Sequence, residues 1–190
     1  MPESTALSTV NRRLFLKTGF FAMVAGPTLA SAATPRSSTF SGLSERSLSF
    51  YNLHTSESLK TVYWQKGEYL PTSLAEIQRV LRDHRTGDQH EIHADLLDLL
   101  CDLRLRLDTR EPFQIISGYR SPATNTMLHA RSDGVATRSL HLDGKAVDIR
   151  IPGRALSLLR KTALSMKSGG VGYYPSSNFV HVDIGRVRSW

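Results

Sequence analysis

The chain has 190 residues, a single cysteine and a formal charge of +7, with 22% of its residues charged. Once an N-terminal signal is removed, that length suits one domain with a sizeable core, and a second is not expected. The lone Cys101 excludes an intramolecular disulfide, and a basic balance without a basic run or an aromatic platform argues against nucleic acid, leaving another anionic partner as the candidate.

At the N-terminus, Asn11-Arg12-Arg13-Leu14-Phe15-Leu16-Lys17 places paired arginines before a modest apolar run, Gly19 to Ala25. Ala30-Ser31-Ala32 then offers a small-residue cleavage site. Residues 1–32 read as a twin-arginine signal peptide, which implies export to the periplasm. Gly26 and Pro27 interrupt the apolar stretch well short of the roughly 20 residues that span a bilayer, so no stable membrane insertion is expected after cleavage. The signal carries Arg12, Arg13 and Lys17 against Glu3, which leaves +5 on the remainder. Residues 33–45, rich in Ser, Thr and Pro, read as a flexible tether, and residues 46–190 as the folded domain.

Leu48, Phe50 and Asn52 alternate with Ser47, Ser49 and Tyr51, and a second β-rich run covers Leu59 to Trp64, which together predict a hairpin. Thr72 is the expected cap of a helix with Leu74, Ile77, Val80 and Leu81 on one face. A second helix, Ala94 to Leu107, carries Leu96, Leu99, Leu100, Leu103 and Leu107 as its stripe and encloses Cys101 as a core thiol. Pro112 to Gly118 is a short β-prone run that delivers Arg120 at its end. Thr124 to Ala130 predicts a short helix, 131–138 a loop, and Ala155 to Met166 a helix with Leu156, Leu159, Ala163 and Met166 inward. Gly169, Gly170 and Gly172 predict a tight stretch with exposed backbone that an extended peptide can use. Pro175-Ser176-Ser177 turns the chain into a strand over Phe179 to Asp183. The mixture predicts an α+β fold, a small antiparallel sheet with flanking helices.

The chemistry concentrates in Ser139-Leu140-His141-Leu142-Asp143-Gly144-Lys145-Ala146-Val147-Asp148 and in Phe179-Val180-His181-Val182-Asp183. Val147, Ile149 and Ile151 alternate with Asp148, and Val180 and Val182 with His181, so the polar residues share the opposite strand faces. If the two strands are neighbours, Asp148 and His181 converge, and a Gly144 free to take positive φ folds His141 back towards them. His141, Asp148 and His181 then form the three-ligand set of a catalytic zinc site with an open fourth position. Spacing alone leaves the alternative open that these are surface residues or a satisfied hydrogen-bonded pair.

The segment from Ser139 to Asp148 matches S-x-H-x-x-G-x-A-x-D without departure, and so resembles the zinc D-Ala-D-Ala metallopeptidases and their lysostaphin-like and hedgehog-like relatives. Ser117-Gly118-Tyr119-Arg120-Ser121, Gly169-Gly170-Val171-Gly172-Tyr173-Tyr174-Pro175 and Asn178-Phe179-Val180-His181 extend the likeness to the MepK-type murein endopeptidases over essentially the whole chain after the signal. The resemblance implies a hedgehog/D-Ala-D-Ala peptidase-like fold and one Zn2+ per chain on His141, Asp148 and His181. It further implies hydrolysis of peptide cross-links in peptidoglycan, especially 3-3 links between two meso-diaminopimelate residues. The partner is then the anionic wall polymer, with no nucleic acid involved.

The resemblance also suggests Arg120 as the cation that contacts substrate and stabilises the oxyanion; the alternative is an Arg paired with a structural carboxylate. Relatives place a Glu or His before the last zinc ligand, but Asn178 and Phe179 stand here and neither is a base. Asp183, on the right strand face, is expected either to take the proton or to hold His181 in its metal-binding tautomer. His129 is titratable but sits in a polar helix; Ser139 is expected to shape the loop and Asp143 to be exposed, and Tyr173 and Tyr174 are candidates to line the groove, the alternative being that one of them is in the core. Two other activities compete: a D,D-carboxypeptidase or 4-3 endopeptidase, and a wall-binding module that keeps zinc without hydrolysis.

Overall fold

The computed structural model describes residue 40 and residues 42–131 and 136–190. The predicted signal over 1–32, most of the tether and part of the 131–138 loop lie outside these residues. Strand β1, Glu45–Asn52, begins before Arg46, and Phe40 is already buried in the core beneath the Arg46 guanidinium, 4.1 Å from the ring centroid. The folded unit therefore starts several residues earlier than the boundary at 46, because an aromatic ring just upstream finds apolar cover.

The expected hairpin forms from β1 and β2, Ser58–Gln65, paired antiparallel with a bulge at Arg46/Ser47. Lys66 and Gly67, both at positive φ, turn β2 into the short β3, Glu68–Tyr69. Helix α1, Pro71–Val80, begins with Leu70 as its N-cap and Pro71 in its first turn, and Leu70 makes no side-chain cap. Thr72 is thus inside the helix; proline, with φ already helical and no N–H to satisfy, sets the start. Helix α2, Ala94–Arg106, matches its predicted span. The His93 ring accepts the Asp95 N–H at its start, and Leu96, Leu99, Leu100, Leu103 and Cys101 are buried.

Then follow β4, Phe113–Ser117; α3, Pro122–Arg131; a 3-10 turn, Leu140–Asp143; β5, Ala146–Arg150; and α4, Leu156–Met166. The chain ends with β6, Gly170–Tyr174; β7, Phe179–Asp183; and β8, Arg188–Ser189. The architecture is α+β, and the described residues form one eight-stranded sheet in the order β3-β2-β1-β4-β5-β7-β6-β8. It is mostly antiparallel; only β1 with β4 and β6 with β8 run parallel. The β1–β4 pairing welds the N-terminal hairpin to the β4-β5-β7-β6 half, and α1, α2 and α4 cover the sheet around Phe50, Tyr63, Phe113, Leu100 and Ile149. Among the described residues no helix is long and apolar enough to cross a membrane.

The glycine-rich stretch is not an exposed platform. Gly170 and Gly172 lie within β6, where a Cβ at 170 would crowd Asp183 and Arg188, and one at 172 would crowd the Trp190 ring. These glycines let side chains pack onto the strand, and their predicted role as a docking edge for a peptide is withdrawn.

Candidate metal centre

Strands β5 and β7 are adjacent and antiparallel, with Asp148 directly opposite His181. The pleat sends Val147, Ile149, Val180 and Val182 into the core and leaves the Asp and His together on the other face. His141 arrives from the 3-10 turn, whose N-cap is Ser139 and whose C-cap is Gly144 at φ +64°. A Cβ at 144 would collide with the Glu91 carbonyl, so conformation and space both demand glycine here. Ser139 Oγ accepts the His141 N–H at 3.4 Å, a loop-shaping role.

All three side chains are buried: His141 is 1% exposed, Asp148 3% and His181 8%. His141 Nδ1–H donates to the Gly118 carbonyl at 2.6 Å, and His181 Nε2–H donates to Asp183 Oδ2 at 3.0 Å. Each outer bond fixes a tautomer and turns the other ring nitrogen inward. His141 Nε2 and His181 Nδ1 lie 3.1 Å apart, and 3.2 and 2.8 Å from Asp148 Oδ1. Three electron-pair donors so close need a positive charge between them, either a proton on His181 or a metal ion. Burial alone disfavours imidazolium. It wins at His141, whose pKa is lowered; at His181 the bonds to Asp148 and Asp183 outweigh it and the pKa rises. The donor separations approach the edge of about 3.3 Å for a tetrahedron with zinc–nitrogen bonds of about 2.0–2.1 Å, and a buried N, N, O set suits zinc.

Around this cluster the outer partners are charged. Asp183 is fully buried: its Oδ1 accepts the N–H groups of Gly170 and Gly185 at 3.0 and 2.8 Å, and Arg188 donates to Oδ2 at 2.7 Å. Despite burial, these donors and His181 hold its carboxyl well below the usual range. Asp148 is likewise held low by both histidines against the cost of burial. Arg120 donates Nε–H to Ser117 Oγ at 2.9 Å and a terminal N–H to Asp148 Oδ2. It is therefore paired with the carboxylate of the cluster while still lining the cavity outside it.

That cavity, about 710 Å³, has His141, Asp148 and His181 in its wall. Tyr174, Phe179 and Trp190 form an aromatic side: Tyr174 stacks on Phe179 at 4.5 Å, and the Trp190 indole N–H donates to the Tyr174 hydroxyl at 2.7 Å. Tyr173, one residue before Tyr174, packs against the core under Arg160. A buried N, N, O set that could hold a metal and opens onto a cavity with an aromatic wall suits a hydrolytic site rather than a closed structural one.

A family profile described as peptidoglycan L,D-endopeptidase MepK matches residues 41–190. The chain belongs to this family. It is 47% identical to peptidoglycan L,D-endopeptidase MepK of Escherichia coli K12 over 184 residues, 95% of this chain and 97% of the relative. It is 36% identical over 185 residues to the probable peptidoglycan L,D-endopeptidase MepK of Haemophilus influenzae, covering 95% of each. As a MepK-family member the chain is a peptidase, and its α+β fold agrees with the one the resemblance implied.

Within this MepK-family site, Asn178 occupies the β6–β7 turn at φ +54° and Phe179 lines the cavity, so neither supplies a base. Asp143 is exposed, and His129 is exposed on α3 and does not line the cavity. Sequence reasoning missed His54, Arg85, Arg138 and Trp190, all of which line it. His54 Nε2–H donates to the Ile116 carbonyl at 3.0 Å, and its ring stacks on His84 at 3.7 Å. Burial, His54 and Arg85 push the pKa of His84 down to about 4. None of the four stands in a motif; only the folded chain brings them together.

Proposed function

We propose that the chain is a zinc-dependent peptidoglycan endopeptidase of the periplasm, with one Zn2+ held by His141, Asp148 and His181. The observation that carries this reading is the convergence of His141 Nε2, His181 Nδ1 and Asp148 Oδ1 within 3.2 Å of one another beside a cavity. Zinc bound there would act as a Lewis acid on the scissile carbonyl and make water nucleophilic near neutral pH. Asp183 fixes the His181 tautomer; with its oxygens engaged by four donor groups it is an orienting group, not a proton acceptor. Arg120 orients Asp148 and presents its guanidinium at the cavity, where it can also meet an oxyanion. Residues 1–32 serve as a twin-arginine export signal, a tether follows, and the remainder is the zinc peptidase domain. The relatives' name supports peptidoglycan as the substrate, and among its cross-links the 3-3 links are proposed as preferred.

The test incubates the purified chain, without its signal, with muropeptide dimers of 3-3 and 4-3 type, with chelator and with zinc restored. Mass spectrometry identifies the products. The expected outcome is chelator-sensitive conversion of 3-3 dimers to monomers, abolished in His181→Ala together with stoichiometric zinc. Conversion of 4-3 dimers alone would reassign the cross-link. No conversion of either by the zinc-loaded chain would defeat the hydrolase reading and leave a wall-binding role.

A further inference from the structure

The cavity wall carries five arginines, Arg85, Arg120, Arg131, Arg138 and Arg188, against a single carboxylate, Asp148. Two of the five are spoken for, Arg120 by Asp148 and Arg188 by Asp183. Among the described residues none of Arg85, Arg131 and Arg138 has a carboxylate within ion-pair distance. Such an excess of charge around a concave site raises the local concentration of anions.

Two of these arginines stand on backbone that the fold holds in place. Asp83, buried below α1, accepts the Arg85 N–H on Oδ1 at 2.9 Å and the Ser121 N–H on Oδ2 at 2.8 Å, so one carboxylate ties Arg85 to the turn that carries Arg120. Asn125 of α3 donates to the carbonyls of Ala136 and Thr137, each at 3.2 Å, which anchors the approach to Arg138, and Ser139 then opens the turn bearing His141. Both guanidinium groups thus hang from segments braced against the catalytic turns, with exposed side chains free to reach a ligand.

We propose that Arg85 and Arg138 are specificity-determining residues that hold carboxylates of an acidic peptide in the cleft, with Arg131 adding to the positive potential. This rests on the hydrolase reading, and it deepens that reading by naming the substrate class: peptides whose carboxylates beside the scissile amide are free. A planar guanidinium takes a carboxylate through two parallel N–H bonds, which a neutral carboxamide cannot replace. The aromatic side formed by Tyr174, Phe179 and Trp190 is left for the apolar stems of the same peptide.

The experiment compares two muropeptide dimers that differ only in carrying free or amidated carboxylates beside the scissile bond. Initial rates are measured for the zinc-loaded chain, Arg85→Gln, Arg138→Gln and the double variant. Binding of fluorescent versions of both dimers to the chelator-stripped chain is followed by anisotropy. The wild type should favour the free-carboxylate dimer by about tenfold or more in kcat/KM and in affinity, less so at high salt. Each single variant should raise KM for that dimer about three- to tenfold with kcat little changed, and the double variant should lose the preference while treating the amidated dimer as the wild type does. Equal binding of the two dimers by the wild type, or a preference kept by the double variant, overturns the proposal. Absence of cleavage with the binding preference intact would overturn the hydrolase reading and uphold the arginine site.

Discussion

Asp183 lies two residues beyond His181 on β7, so the pleat returns it to the same face, where it donates nothing and accepts from His181, Arg188, Gly170 and Gly185. Its charge holds His181 Nε2 in the protonated form and leaves Nδ1 for a metal. Asp183→Asn removes that charge and can present an N–H to a ring nitrogen that must itself donate. Zinc affinity should fall about 10–100-fold, measured by competition with a chromophoric chelator; an unchanged affinity would show that the ring needs no such partner. Asp83 supports a pH prediction. Burial pushes its pKa up, but hydrogen bonds from Thr124, Ser121 and Arg85 win and hold it well below its ordinary 3.8. A depressed carboxyl contributes stability that is fully present above the unfolded value and is lost as pH falls towards the folded one. The Tm of the wild type should therefore drop on acidification below about pH 4. Asp83→Asn should be less stable at neutral pH and show a shallower decline in the same scan.

At the scale of elements, the turn after β4 is under a tight steric demand. Gly118 offers its carbonyl to His141 Nδ1, while a Cβ on it would collide with the Leu81 carbonyl, which already accepts the Tyr119 N–H at 2.8 Å. Gly118→Ala must push β4 away from the end of α1. The expected loss is about 1–3 kcal/mol in urea unfolding, with weakened zinc binding because the His141 support moves. A fully stable variant with unaltered metal affinity would mean that the turn relaxes without cost. The same logic explains β6: its glycines are places where Asp183, Arg188 and Trp190 press on the strand. Composition suggested exposed backbone, because a glycine that admits a neighbour and a glycine that faces water look alike in sequence.

On the scale of the whole molecule, a polar network apart from the metal centre gathers on Asp98 of α2, which accepts from Arg46, Tyr63 and Tyr69, each at 2.8–2.9 Å, and ties the N-terminal hairpin to the helix layer. Asp98→Ala strands the largely buried Arg46 guanidinium and should cost about 3 kcal/mol, seen as a lower Tm. Zinc affinity should stay at the wild-type value, since Asp98 touches none of the residues that hold the cluster. A parallel loss of metal would show that the two halves of the sheet are coupled more tightly than their separate networks imply.

By itself the sequence determined most of the longer elements and the three residues that could hold a metal. Alternation along Val147 to Ile151 and Val180 to Ile184 marked which face of each strand held Asp148 and His181, and Gly144 marked the return of His141, because these patterns are local and follow from pleat and steric rules. The helix over Ala94 to Leu107 was legible for the same reason. Only the tertiary structure decided that Asp183 is sealed among four donor groups, that Arg120 is bound to Asp148, and that His54, Arg85, Arg138 and Trp190 meet at one cavity. Those facts depend on the parallel pairing of β1 with β4 and of β6 with β8, contacts between residues far apart in the chain that leave no periodic trace in it.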